Sequence, residues 1–299
     1  MNQTEILNKK SCIVKTSLKS IKLCFCWVKK ENKMKTILIT GASSGFGLML
    51  ANKLHTEGHN VIGTSRNAEK LQATVPFKVL SLDVTDEKSI EEFTKQLFET
   101  VKQLDVLVNN AGYMLIGLAE ETSAEAGKLQ FETNFWGTVN VTKAILPYFR
   151  KQKSGQIVTV SSMMGLLSLP MHPIYAASKH ALEGFFKSLR FEVSQFNIKV
   201  SMVEPMWAKT NIGINMIAID GNITEYSNYK EQVNKYIKNG LANGDEPSLI
   251  VNKIIKVINA KNPKFRNIIG KMAGMVLFLN NYAYTQFEGA IYKSVKTAK

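Results

Sequence analysis

Cysteine is missing from the body of this chain. Cys12, Cys24 and Cys26 are the three cysteines among 299 residues, and nothing beyond them carries a thiol for a disulfide, a thiolate metal site or cysteine catalysis. A reducing cytoplasm fits that usage. Long apolar runs are short of what a membrane needs at the front of the chain: Leu23 to Val28 is six residues and is preceded by Lys15, Lys19 and Lys22. No stable membrane insertion is expected. Residues 1–33 also lack arginine and a small-residue cleavage site after an apolar segment, which argues against organelle targeting or secretion. Histidine is scarce. His55 and His59 have the spacing of a metal pair, but Gly58 ends the helix between them, so no metal is expected. Repeats, low-complexity tracts and an interdomain linker are absent, which leaves one α/β domain as the economical reading.

What is abundant is positive charge and apolar surface. The net charge is +14 with a pI near 9.5, yet residues 1–33 hold eight lysines against Glu5 and Glu31 and so carry six of those charges. The remainder is thinly spread, which describes a lysine-rich solvated surface rather than a nucleic-acid site. A hydrophobic fraction of 45% is ample for a core. Two readings stand for residues 1–33: an upstream extension outside the fold, which is preferred, or a weak amphipathic anchor in which Ile21, Leu23, Phe25 and Trp27 meet an interface. The domain is expected over residues 34–299.

From Met34 the pattern changes. Thr36 to Thr40 is a short β-branched run ending at Gly41, as a buried parallel strand would be. Gly41-Ala42-Ser43-Ser44-Gly45-Phe46-Gly47 follows, and then a helical pattern through Leu50, Ala51 and Leu54. Glycine lets backbone N–H groups approach a pyrophosphate at a helix N-terminus, so this strand, loop and helix form a dinucleotide-binding element with GxxxGxG spacing. A second strand from Asn60 to Thr64 delivers Arg66 to the place where such folds inspect the adenosine ribose. A guanidinium there matches a 2′-phosphate, which points to NADP(H), with NAD(H) as the alternative. A third strand, Lys78 to Leu82, ends in Asp83-Val84, where the carboxylate can accept a bond from the adenine amino group.

The fourth strand, Asp105 to Val108, runs into Asn109-Asn110-Ala111-Gly112, small and amide residues that can hold the chain near a cofactor. One long helix is predicted from about Ser123 to Arg150, carrying Asn134. The fifth strand, Gln156 to Val160, leads to Ser161-Ser162 and an apolar Met163-Met164-Gly165-Leu166-Leu167. Tyr175 and Lys179 lie four apart on the next helix, predicted to run to about Gln195, and the ammonium is placed to favour phenolate. His172 is read as a loop residue, and His180 faces away from Lys179. A sixth strand, Lys199 to Val203, precedes Glu204-Pro205-Met206-Trp207. Residues 206–245 are expected to form a substrate lid, with Ile212 to Ile219 mobile. A helix from Pro247 to Ala260 and a strand near Phe265 to Ile269 complete the sheet; the apolar tail from Lys271 is expected to be core rather than a helix at the pocket mouth.

Together, the Thr40 to Gly47 segment, Asn109-Asn110-Ala111-Gly112, Asn134, Ser162 and Tyr175-x-x-x-Lys179 resemble the short-chain dehydrogenase/reductase family in order and spacing, over about residues 34–270. The resemblance implies a doubly wound, Rossmann-like parallel sheet with helices on both faces. It implies a catalytic tetrad of Asn134, Ser162, Tyr175 and Lys179, with Asn134 holding a water that links Lys179 to solvent. The implied cofactor set is Gly41, Ser43, Ser44, Gly45, Phe46, Gly47, Arg66, Asp83, Val84, Asn110, Ala111, Gly112, Tyr175, Lys179, Pro205 and Thr210. Met206 departs from the glycine that usually follows the proline. Such an enzyme moves hydride between NADP(H) and a carbonyl or alcohol, with Tyr175 as acid and base. The second reading is a catalytically silent NADP(H)-sensing protein on the same fold. Met163, Met164, Met206, Trp207 and Met216 suggest a bulky, steroid-, retinoid- or lipid-like substrate. Apolar faces on the Tyr175 helix suggest a homodimer or homotetramer.

Overall fold

The short β-branched runs pair side by side in one parallel sheet. The computed structural model describes residues 34–209, 216–219 and 221–298. In chain order the elements are β1 (Thr36–Ile39), α1 (Gly45–Thr56), β2 (Asn60–Ser65), α2 (Ala68–Gln72), β3 (Lys78–Ser81), α3 (Glu87–Thr100), β4 (Val106–Asn109), β5 (Met114–Ile116) and α4 (Ala124–Phe131). Then come α5 (Thr138–Gln152), β6 (Gly155–Val160), α6 (Pro173–Val193), β7 (Ile198–Pro205), β8 (Met216–Ala218), α7 (Ser227–Ala242), α8 (Pro247–Asn259), β9 (Arg266–Ile269), α9 (Ala273–Tyr282) and α10 (Tyr284–Lys296). Seven strands form the main sheet in the order β3-β2-β1-β4-β6-β7-β9, and its neighbouring strands run parallel.

Side chains alternate across this sheet, as a strand period of two requires. Leu38, Ile62, Leu107 and Ile157 pack on one face against Phe93 and Leu97 of α3, Ile145 and Phe149 of α5, and Phe186 and Leu189 of α6. Ile37, Ile39, Val61 and Val108 pack on the other against Leu50 and Leu54 of α1 and Ile250, Ile254 and Ile258 of α8. Helices thus cover both faces, the doubly wound architecture. Strand order reverses between β1 and β4, so the glycine loop after β1 and the Asn110 segment after β4 open side by side, where α/β folds bind ligands.

Three segments differ from the sequence expectation. The predicted Ser123 to Arg150 helix is broken by a π-helical turn, Glu132–Gly137, between α4 and α5. Apolar periodicity does not register one extra residue per turn, but such turns recur at functional sites. Within the expected mobile stretch, residues 212–215 lie outside the described residues, while Met216–Ala218 is a strand paired in parallel with β5. The tail joins the core with one face only, through Ala273, Phe287 and Val295. In α9 only Ala273 is buried, and in α10 only Phe287 and Val295, because these helices cover a cavity with one face and leave Phe278 and Tyr282 59% and 78% exposed. No helix among the described residues is long and apolar enough to cross a membrane.

Candidate active site

The glycine loop is shaped by what it must avoid. A β-carbon on Gly47 would fall on the carbonyl of Gly41 and the amide nitrogen of Asn110. That amide donates to the carbonyls of Thr40, at 3.0 Å, and Gly41, at 3.1 Å. Thr40 Oγ1 in turn accepts from the backbone N–H groups of Asn110 and Ala111, each at 3.0 Å. Asn110 therefore acts on the loop itself, and with Gly41 held at φ +67° the chain turns sharply into α1. The N-terminal N–H groups of a twelve-residue helix follow directly, with Ser43 and Gly45 exposed beside them. This cradle, open only because Gly47 has no side chain, suits a pyrophosphate. Arg66 stands exposed just past the carboxyl end of β2. Asp83 accepts from the N–H of Thr85 at 2.9 Å and its hydroxyl at 2.7 Å through one oxygen. Val84 packs where a side chain on Gly137 would sit. Thr210 lies outside the described residues.

Beyond the end of β6 the chain turns through Ser162, whose Oγ accepts from the N–H of Met164 at 3.1 Å. Facing it is Tyr175, near the start of α6, where Pro173 occupies the first turn. Lys179 sits one turn further along, 5.7 Å from the centre of the Tyr175 ring, and donates to the carbonyl of Val160 at 3.1 Å. Ser162, Tyr175 and Lys179 are each 7% exposed. Burial pushes the Tyr175 phenol up to about 12, and its hydrogen bond with Ser162 pulls the other way. Burial pushes Lys179 down to about 8, while the nearby Glu183 carboxyl raises it. Desolvation of the phenolate is thus the largest influence on Tyr175. The phenol is kept as a proton donor through the neutral range.

The π turn aims Asn134 inward. Its Nδ2 donates to the carbonyl of Tyr113 at 2.9 Å, its Oδ1 accepts from the N–H of the same residue at 3.0 Å, and Nδ2 lies 3.5 Å from Ser178 Oγ. Ser178 then donates to the carbonyl of Tyr175 at 2.8 Å. Asn134 thereby ties the Gly112-Tyr113 segment to the first turns of α6, a link that the sequence did not reveal.

A cavity of about 210 Å³ begins at Ser162 and runs between Met163, Met164, Leu167, Met206, Trp207 and Tyr236, closed by Val276 and Leu279 of α9 and Phe287 and Ile291 of α10. Four of the five residues expected to meet a substrate line it. The fifth, Met216, packs beside it with Met114, Ile116 and Trp207. His172 is fully buried, with Nδ1 2.7 Å from the carbonyl of Pro170; it is a structural loop residue. His180 is exposed.

The sequence model of the short chain dehydrogenase family matches residues 35–221. The chain is 37% identical over 252 residues to a 3-ketodihydrosphingosine reductase of Bacteroides thetaiotaomicron, a match that spans 83% of this chain and 92% of that one. It is 36% identical over 253 residues to human retinol dehydrogenase 8, across 78% and 80% of the two chains. Among solved structures, a short-chain dehydrogenase from Streptomyces avermitilis superposes with a TM-score of 0.76 at 30% identity, covering 88% of this chain and 98% of that one.

Proposed function

The chain belongs to the short chain dehydrogenase family, and from that premise we propose an NADP(H)-dependent oxidoreductase acting on the carbonyl or hydroxyl of a bulky apolar substrate. The observation that carries the substrate class is the cavity: Ser162 at its inner end is polar, and methionine, leucine, tryptophan and phenylalanine line most of the rest. The activities for which two relatives are named, toward a sphingoid ketone and toward retinol, support the same class.

The glycine loop and α1 N-terminus would hold the pyrophosphate, Arg66 the 2′-phosphate, Asp83 and Val84 the adenine, and Pro205 with Thr210 the nicotinamide end. When bound, NADP(H) supplies or takes up the hydride. The rest of the chemistry is the chain's own. In reduction, Ser162 donates its hydroxyl to the substrate oxygen and Tyr175 transfers its phenolic proton to the developing alkoxide; oxidation reverses both. Lys179, pinned by Val160, places a positive charge beside the phenolate as it forms. Asn134 keeps the start of α6 in register with the loop after β4.

The reading includes a homodimer or homotetramer, since Leu129, Trp136 and Phe191 are left 57%, 46% and 75% exposed, and a cytoplasmic location. It is tested by NADPH consumption with 3-ketodihydrosphingosine, retinal and small charged keto acids. Turnover is expected with the first two compounds or their analogues. Preference for the keto acids overturns the substrate class, and no turnover with any carbonyl favours the sensing role.

A further inference from the structure

Behind the catalytic lysine lies a buried ionic group that the proposed chemistry does not use. Glu183 follows Lys179 by one turn of α6 and is 6% exposed. Its Oε2 accepts from Arg266 Nη2 at 3.2 Å. The same guanidinium reaches Glu204, with Nε 3.4 Å from Oε1, and Glu204 Oε2 accepts from the N–H of Asn267 at 2.7 Å. Glu204 is 0% exposed. The turn after Ser162 closes over this group: a β-carbon on Gly165 would lie 2.9 Å from Glu183 Cγ, 2.9 Å from Ser161 Oγ and 3.0 Å from the carbonyl of Lys179. Helix α6, strands β7 and β9, and the serine turn therefore meet at Glu183.

Two buried carboxyls share one guanidinium, an arrangement that disfavours ionisation of both at once. The charges around each decide which of them ionises. Burial raises the Glu183 carboxyl, and the Ser161 hydroxyl, Arg266 of β9, and Lys179 and His180 of α6 itself each pull it back toward the ionised form. Glu204 of β7 has Arg266 as its cationic neighbour and is further penalised by Glu183. Both carboxyls are raised by burial, and Glu183, with the larger set of cationic neighbours, is the one better placed to carry the negative charge. We infer that Glu183 is a positioning residue that keeps Lys179 in its ammonium form, and that Arg266 keeps Glu183 ionised for this purpose. Burial alone works against a charged lysine at this point, and a carboxylate one turn away offsets part of that penalty.

The inference rests on the proposed acid–base role of Tyr175 and Lys179, but its first test does not need turnover. The full-length, cofactor-free protein is labelled with carbon-13 at lysine Cε, and the Lys179 signal, assigned by its loss in Lys179→Arg, is titrated by NMR. The midpoint is expected near pH 8 in the unsubstituted protein and about one unit lower in Glu183→Gln, the size of effect a near opposite charge has. Arg266→Gln, whose side chain is partly exposed and so less exposed to folding failure, should lower it in the same direction. Glu183→Asp should restore most of the loss. The alkaline limb of the pH–kcat profile for NADPH-dependent ketone reduction is expected to move down with the NMR midpoint. A midpoint unmoved in folded Glu183→Gln and Arg266→Gln overturns the inference, as does a kcat lowered equally at every pH. Absence of any ketone reduction by the unsubstituted protein would instead refute the proposed reaction, while the titration still decides the role of Glu183.

Discussion

Asn110 occupies the space that a side chain on Gly47 would need, so the amide that fixes the glycine loop and the residue that lets it approach the loop are one device. Gly47→Ala puts a methyl against backbone, which cannot swing aside. It is expected to destabilise the fold by about 1–3 kcal/mol, as overpacking does, and to abolish the rise in thermal midpoint that NADPH gives. Differential scanning with and without NADPH checks it; a full NADPH response in the variant would show that the pyrophosphate is held elsewhere.

Tyr175→Phe keeps the ring in its buried place and removes the proton shared with Ser162. Ketone reduction should fall at least about a hundredfold, while NADPH still binds. In the unsubstituted enzyme the phenol, raised to about 12, stays protonated across the neutral range, so it sets no alkaline limit there. The limit comes from Lys179, whose ammonium is lost above about 8. Reductive kcat should therefore be level below pH 8 and decline above it.

Arg66 is exposed at the end of β2, free of the burial that complicates the other charges. A charge-assisted bond to a 2′-phosphate corresponds to about 1.5–3 kcal/mol in favour of NADPH over NADH. Arg66→Ala should remove most of that difference, read from the ratio of the two dissociation constants. An unchanged ratio would place the phosphate on another residue.

The parts of this site that were legible in the sequence are those that depend on local spacing. Gly41 to Gly47, the four-residue step from Tyr175 to Lys179 and the end-of-strand position of Ser162 each follow from one strand or one helix turn and its flanking loop. What escaped depends on distant contacts. Glu183 and Arg266 are 83 residues apart, and nothing near either announces the other. The π turn around Asn134 escaped because its apolar residues satisfy an α-helical period almost as well. The tail was legible only in part for a related reason: Ala273 and Phe287 join the core while Val276, Leu279 and Ile291 line a cavity, and composition does not separate a cavity wall from a core.

Glu204 predicts a pH dependence of stability. Its carboxyl is raised from an ordinary 4.5 to about 8, chiefly by burial, so between those values the folded state holds a proton that the unfolded state has released. That contribution to stability is complete below about pH 4.5 and is lost as pH rises to about 8. Lys179, lowered from 10.5 to about 8, acts in the next window with the opposite slope, since there the unfolded chain binds the extra proton. The thermal midpoint should fall from pH 5 to 8 by several degrees, where about 1 kcal/mol corresponds to ~2 °C for a domain of this size. Glu204→Gln should flatten that fall, and an equally steep fall in the variant would assign it to other groups.

Met206 tests the substrate class most directly. It stands where relatives of this fold usually carry glycine, and its Cβ lies 2.8 Å from the point a β-carbon on Gly270 would occupy, so the side chain is backed by main chain and projects along the cavity wall. Met206→Ala removes apolar contact from a long substrate without touching Ser162 or Tyr175. For a sphingoid or retinoid carbonyl, KM should rise about tenfold, the equivalent of losing roughly 1.4 kcal/mol of burial. The kcat should stay near its original value because the acid and its serine partner are unmoved. For a short ketone that does not reach Met206, neither constant should change. If instead kcat falls for long and short substrates alike, Met206 is shaping the nicotinamide end of the site rather than the substrate wall.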